Sequence, residues 1–364
     1  MNETPYWLAF SLVPEIGSKR LLHLHQHFGD LASAWEADKR QLQAAGLAPQ
    51  ALSNLLRVRN QIDPAAELER VRQSGAWLLT WEMDEFPPLL REIDTPPVIL
   101  YVRGTLTETD NRALAIVGTR RATNYGREAA YKLAQQLAAQ GITIISGLAQ
   151  GIDSAAHRGA LDGGGRTIAV LGNGIDKIYP RENTPMAHEI VQNGAIISEF
   201  PLGTAPEARN FPRRNRVISG LSLGVLVVQA PERSGALITA HIAAEQGREV
   251  FAIPGNIFNT VSQGANRLIQ DGAKLVTCAA DILEELDIAH TIMQTRTQTK
   301  MVAPEDNNEA RLLHHLSPDP IHIDELALLC GLPISTVSST LTILELKGLA
   351  RMVSNMQYSL VSEY

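Results

Sequence analysis

No apolar run in the 364-residue chain is long enough to cross a membrane, since a span needs about 18 residues or more. Residues 1–10 are too short and too uncharged for a secretory signal. Cysteine is nearly missing: Cys278 and Cys330 lie far apart with no metal-ligand spacing around either. That excludes a disulfide framework and suits a reducing, cytoplasmic setting. There is also no excess of positive charge. A formal net charge of −7 excludes a chain coated in basic residues, so any nucleic-acid contact must come from a local patch. Finally, no Walker loop, metal cluster or nucleophile paired with a base is visible, and a non-enzyme without cofactor or metal is expected.

What is present reads as two or three soluble domains. Hydrophobic residues make up 45% and charged residues 20% of the chain, enough apolar material for a sizeable core. Residues 1–72 carry short helix patterns, with Leu12-Val13-Pro14-Glu15-Ile16-Gly17 resembling the turn of a helix-hairpin-helix or SAM-like module. From 73 to 290 the pattern changes to short apolar runs separated by turns, at 77–81, 98–102, 114–117, 142–145, 168–171, 195–197, 225–228 and 250–253. Several alternate with helix-like segments, which predicts an extended Rossmann-like, mostly parallel sheet. A polar linker is expected at 291–308 and a winged helix at 309–364, from three helix patterns followed by a two-strand wing.

The unit 114–157 organises the rest. Its two apolar runs close on Gly118-Thr119-Arg120-Arg121 and on Ser146-Gly147, the second loop running on through Gly151, with a helix over 126–140 between them. In such units ligands bind at the carboxyl ends of the strands. The first loop has too few glycines for a dinucleotide and offers two cations instead, either for an extended phosphate chain or as an ordinary solvated surface. Gly172 and Gly174 either admit a ligand to the backbone or make a tight turn, with Arg181 and Asn183 following on the same edge. In the 209–222 run, Arg213, Arg214, Asn215 and Arg216 fall near the start of a helix, where each cation is disfavoured by roughly 0.3 to 1 kcal/mol. A bound polyanion accounts for them, and Phe211 either stacks on a base or anchors the core. Ser234 and Gly235 open a further helix from another loop on this edge.

Seven motifs in order then carry a resemblance: Gly118-Thr119-Arg120, the Ser146 to His157 run, Tyr179 to Asn183, Ser198 to Pro201, Phe211 to Arg216, Ser234 to Thr239 and Arg248 to Gly255. Together they resemble the DNA processing protein A family, also called Smf, over about residues 77–286. The resemblance implies a cytoplasmic homodimer that binds single-stranded DNA and loads the RecA recombinase onto it during natural transformation, with single-strand-binding protein as a further partner. It implies a SAM-like domain, an extended Rossmann domain and a winged helix, and DNA contacts at Arg120 and Arg181. One departure is Gln150, where many relatives carry lysine.

Two other classes compete. A phosphoribohydrolase of the related superfamily needs a carboxylate in its Pro-Gly-Gly-x-Gly-Thr loop, and the comparable 234–239 segment has no acid before Glu245. Asp153 and His157, four apart, suggest acid-base chemistry, but Asp153 reads better as a helix N-cap. A duplex-reading regulator needs a basic winged helix, whereas 309–351 holds five acids against three bases, which favours a protein contact there.

Overall fold

The central apolar runs become strands because they are covered on both faces, as a parallel sheet between helices requires. In the computed structural model, which describes residues 3–286, 307–317, 320–346, 349–354 and 356–360, the eight apolar runs form β1 (Trp77–Thr80), β2 (Ile99–Gly104), β3 (Ala113–Val117), β4 (Thr143–Ser146), β5 (Thr167–Leu171), β6 (Gly194–Ser198), β7 (Gly224–Val227) and β8 (Glu249–Ala252). A ninth, β9 (Lys274–Leu275), was not expected. The sheet order is β1-β2-β6-β5-β4-β3-β7-β8-β9. β1 and β2 pair antiparallel, β2 pairs antiparallel with β6, and the remaining pairs run parallel. Chain order therefore runs outward from β3 to β6 on one side, then returns to β3's other flank at β7.

Six helices precede the sheet: α1 (Thr4–Ser11), α2 (Ser18–Phe28), α3 (Leu31–Glu36), α4 (Lys39–Ala44), α5 (Pro49–Arg59) and α6 (Pro64–Gln73). Trp7, Phe10, Leu21, Leu24, Trp35 and Leu55 fill their own core, each such side chain contributing roughly 1.5–3 kcal/mol. Leu8, Leu68 and Val71 pack instead with Leu78, Ile99 and Tyr101 of β1 and β2. The helical segment is thereby fixed to the antiparallel edge of the sheet.

Around the sheet lie α7 (Pro88–Arg91), α8 (Asn124–Ala139), α9 (Ile152–Asp162), α10 (Thr184–Gln192), α11 (Asn210–Gly220), α12 (Gly235–Glu245) and α13 (Gln263–Gln270). α8 shows the local logic. Thr123 caps it by accepting from the Gly126 N–H, its stripe of Ala130, Leu133, Ala134 and Leu137 is buried, and Gly141 follows its end with φ of 78°.

The expected linker lies outside the described residues, except that 307 and 308 already belong to the helix Asn307–His315. The C-terminal unit has the expected three helices, completed by Ile323–Cys330 and Ile334–Leu346, and the wing β11 (Ala350–Ser354) and β12 (Gln357–Leu360). A short strand, β10 (Ile321–His322), joins the wing through β12. Leu312, Leu326, Val337, Leu341 and Tyr358 form its core. No single described helix is long and apolar enough to cross a membrane.

Candidate nucleic-acid interface

The loops after β3, β4 and β5 meet α11 at the carboxyl edge of the sheet and enclose a cleft of about 350 Å³, lined among others by Arg120, Gln150, Tyr179, Arg181, Phe211 and Arg214. The β3–α8 loop carries Arg120 and is held from below by a residue absent from the sequence-based candidates. Gln229, buried after β7, accepts the Thr119 N–H on its carbonyl (2.7 Å) and the Thr123 N–H on its side chain (3.1 Å). The β4–α9 loop closes tightly on this one. Gly151 has φ of 83°, and an added Cβ would fall 2.5 Å from the Thr119 carbonyl oxygen, so only glycine fits. Leu148, a non-glycine at φ of 60°, stores backbone strain beside it. Asn183 holds that strained turn by donating to the Leu148 carbonyl (2.8 Å) and the Ser154 hydroxyl (2.9 Å), so its side chain faces the protein.

Arg120 and Arg181 are exposed on the cleft. The Arg120 guanidinium lies 5.1 Å from the Phe211 ring centre. Phe211 is half-buried, with Tyr179 opposite at 6.3 Å between ring centres and 43% exposed. Its ring edge lies against Gly172 within the fold, and the residue also lines the cleft. Tyr179 faces the cleft as a second ring. Gln150, exposed at the rim, gives no cation to that position.

The α11 arginines correct the expectation that all of them meet a polyanion. Arg214 is buried and donates to the carbonyls of Gly147 (2.8 Å) and Val170. A Cβ on Gly147 would sit 2.5 Å from its guanidinium, which explains the glycine. Arg214 therefore forms the floor of the cleft. Arg216 is paired with Glu199, whose side chain is 8% exposed. Arg213 is exposed but lies over the Phe200 ring at 5.5 Å and does not line the cleft. Folding accounts for two of the three cations. Asn215, also buried, accepts from Arg214 Nε (3.2 Å) and donates to the Gly235 carbonyl (3.3 Å).

Four further candidates serve the fold. The Ser234 hydroxyl caps α12 by accepting the Ala236 N–H, with exposed Gly235 as that helix's first residue. Gly174 is buried, its N–H bonded to the Thr204 carbonyl and its α-carbon against the 201–203 turn, so its close approach is to the protein. Gly118 packs against Ile152 and the Gln229 carbonyl, while Arg121 is exposed on the crest of the same loop.

Asp153 is not the N-cap of α9. Gly151 occupies that position, and the Asp153 carboxylate, one turn in, accepts the N–H groups of Gly147 (3.2 Å) and Ala149 (3.3 Å). Burial raises its pKa to about 6 against the opposing pull of Arg214 and those N–H groups. Burial likewise lowers Arg214 to about 10. His157 is fully buried with Nδ1 2.7 Å from the Thr167 hydroxyl, and burial drops it to about 3. Neither group meets solvent as an acid-base pair would. Elsewhere Glu3, His25 and Glu82 approach one another as metal ligands can, but the carboxylates already accept from the Leu31 N–H and the Trp7 indole. These groups tie the helical segment to the loop that follows β1.

Fold and site define an extended Rossmann-like protein with a cationic, aromatic-lined cleft and a separate winged helix. Residues 77–287 match the family model described as DNA recombination-mediator protein A, and residues 297–355 match the DprA winged helix domain. Protein Smf of Synechocystis is 35% identical over 98% of both chains. The X-ray structure of DNA processing protein A from Streptococcus pneumoniae is similar with a TM-score of 0.69 at 35% identity, covering 78% of this chain and 99% of that one. A Helicobacter pylori DNA processing protein A structure, described for its single-stranded DNA binding mode, has a TM-score of 0.51 at 30% identity, covering 61% and 98%. The chain belongs to the DNA recombination-mediator protein A family.

Proposed function

We propose that this chain binds single-stranded DNA in the Arg120–Phe211 cleft and hands it, chemically unchanged, to a RecA-type recombinase in the cytoplasm. The observation that carries the reading is the pairing of two outward cations, Arg120 and Arg181, with two half-open rings, Phe211 and Tyr179, in one cleft. Phosphates meet the guanidiniums and bases stack on the rings, a mode that tolerates any sequence. The binding mode described for the Helicobacter pylori relative supports it. Contacts of this kind are individually weak, so a recombinase displaces them one at a time, competing with single-strand-binding protein for the same strand.

A non-enzymatic role is supported by where the acids lie. Asp153 is buried on backbone N–H groups, and Glu245 ends α12 at the opposite end from Ser234. Among the described residues, Glu182 is the one acid that lines the cleft.

A homodimer doubles the contacts on one strand and so raises avidity. Exposed Ile238, Ile257, Phe258 and Leu275 all fall within residues 236–286, the surface assigned here to the partner copy. Sedimentation showing only monomer at high micromolar concentration contradicts this assignment. The winged helix is read as a protein-docking module: Arg311 donates to the Cys330 carbonyl and Arg351 to the Ser359 hydroxyl, while Leu328 and Leu329 are exposed. Lys347 lies outside the described residues.

The test mixes the protein with RecA, single-strand-binding protein and a labelled strand, following filament growth and strand length together. Faster filament growth on intact DNA is expected. Cleaved or base-modified DNA that disappears with Glu182→Gln contradicts the reading.

A further inference from the structure

On the other flank of the β3–α8 loop a second, larger cleft of about 570 Å³ opens where strand order reverses between β3 and β7. Open parallel sheets take ligands at such reversals. The Phe211 cleft lies to one side of it, so the function proposed above leaves this cleft without an occupant.

Its lining is uncharged and rich in donors. Tyr125, at the start of α8, is 56% exposed over it. Asn256 and Asn259 use their side-chain oxygens to accept the Phe258 and Val261 N–H groups, and their amide NH₂ groups have no partner among the described residues. Ser262, at the start of α13, is only 3% exposed, and its hydroxyl has no hydrogen bond among the described residues. That hydroxyl rests against Gly255, where an added Cβ would fall 2.3 Å from Oγ. The residue is buried, but its hydroxyl oxygen opens on the cleft, where a ligand can meet it. The starts of α8 and α13 both lie on this lining, which favours negative charge there.

We infer that this cleft is a second nucleotide subsite, which takes a nucleotide of the same strand after it leaves the Phe211 cleft. A ring for the base, free amide donors and a phosphate-favouring pair of helix starts match a nucleoside phosphate. The strand is the source because the two clefts share one loop. Arg120 lines the first and Thr123 the second, three residues on, a separation of at most about 11 Å along extended chain. Arg121 stands exposed between them, and its side chain has no ion pair among the described residues, so it meets the phosphate that crosses the loop. This subsite rests on the proposed single-strand binding.

The experiment measures fluorescence anisotropy of labelled oligothymidylates, a dinucleotide and an octanucleotide, and of labelled thymidine monophosphate, with the parent, Tyr125→Ala, Asn259→Asp and Arg120→Ala. Asn259→Asp keeps the acceptor for the Val261 N–H while replacing the free donor with negative charge. Tyr125→Ala and Asn259→Asp are each expected to weaken the octanucleotide by roughly tenfold, the size of one lost stacking contact, and to leave the dinucleotide unchanged. Arg120→Ala weakens both. Octanucleotide affinity equal to the parent's in both cleft variants overturns the subsite, and leaves the first cleft standing if Arg120→Ala is still impaired. Monophosphate binding lost in those variants with oligonucleotide affinity intact also overturns it, assigning the cleft to a free nucleotide. Parent protein that binds no single strand overturns the underlying reading.

Discussion

Arg214 and Arg216 on one side, Arg120 and Arg181 on the other, show how the same side chain serves opposite ends within one edge of the sheet. The first two turn inward: one onto the carbonyls of Gly147 and Val170, the other onto Glu199. The second two stay in solvent on the cleft. The inward pair is costly to desolvate and is held by matched partners; removing either side of such a match leaves a buried group uncompensated. The outward pair contributes little to folding, since exposed cations gain little from any neighbour. Arg214 lines the floor of the cleft, and the outward pair is free to meet a ligand there.

The largest expected effect tests the inward half. Arg214→Ala strands two buried carbonyls and removes the charge balancing Asp153, and is expected to lower unfolding free energy by about 3–5 kcal/mol in urea titrations. A loss below about 1 kcal/mol places Arg214 with the outward group.

A pH series sharpens the same point for the buried groups beneath the cleft. His157 is held neutral down to about 3, whereas an unfolded histidine protonates near 6.5. Its folded pKa is depressed, so the unfolded state binds the extra proton and stability falls as pH drops from about 6.5 toward 3. Asp153, raised to about 6 against an unfolded value near 3.9, acts with the opposite sign: the native state takes up the proton first and stability rises as pH falls through that window. His157→Gln is expected to remove the first effect and to lose less stability, by about 2 kcal/mol or more, between pH of about 7 and about 4.5. Parallel stability-versus-pH curves for parent and variant contradict this account of the buried pair.

The smallest effect belongs to Arg213, exposed and resting on Phe200. Arg213→Ala is expected to cost about 0.5–1 kcal/mol in unfolding free energy and to leave single-strand affinity unchanged. A large affinity loss extends the cleft to this side of α11.

These contrasts mark what the sequence could and could not reveal. The central apolar runs were readable because a strand buried on both faces is apolar throughout, whereas β9, two residues long, leaves no such trace. The cleft-facing Arg120, Arg181 and Phe211 could be picked out from loops at strand ends. The inward turn of Arg214 and Arg216 could not, because their partners Gly147, Val170 and Glu199 come from other strand ends, and a charge count at a helix start does not see them. Asp153 looked like a cap, since a short polar residue near a helix start usually is one. The tight approach of the two loops gave that place to Gly151 instead. Gln229 left one usable signal, a polar side chain directly after the apolar 224–228 run, at the level where loops meet.

The central claim is that Arg120 and Arg181 hold phosphates while the inward arginines do not. The salt dependence of single-strand affinity for Arg120→Ala and Arg181→Ala, compared with the parent by anisotropy at several salt concentrations, tests it most directly. Each substitution is predicted to weaken binding and to reduce the slope of log affinity against log salt by about 0.7, one phosphate contact on a single strand. Parent-like affinity and slope in both variants, with the protein fully folded, contradicts the claim.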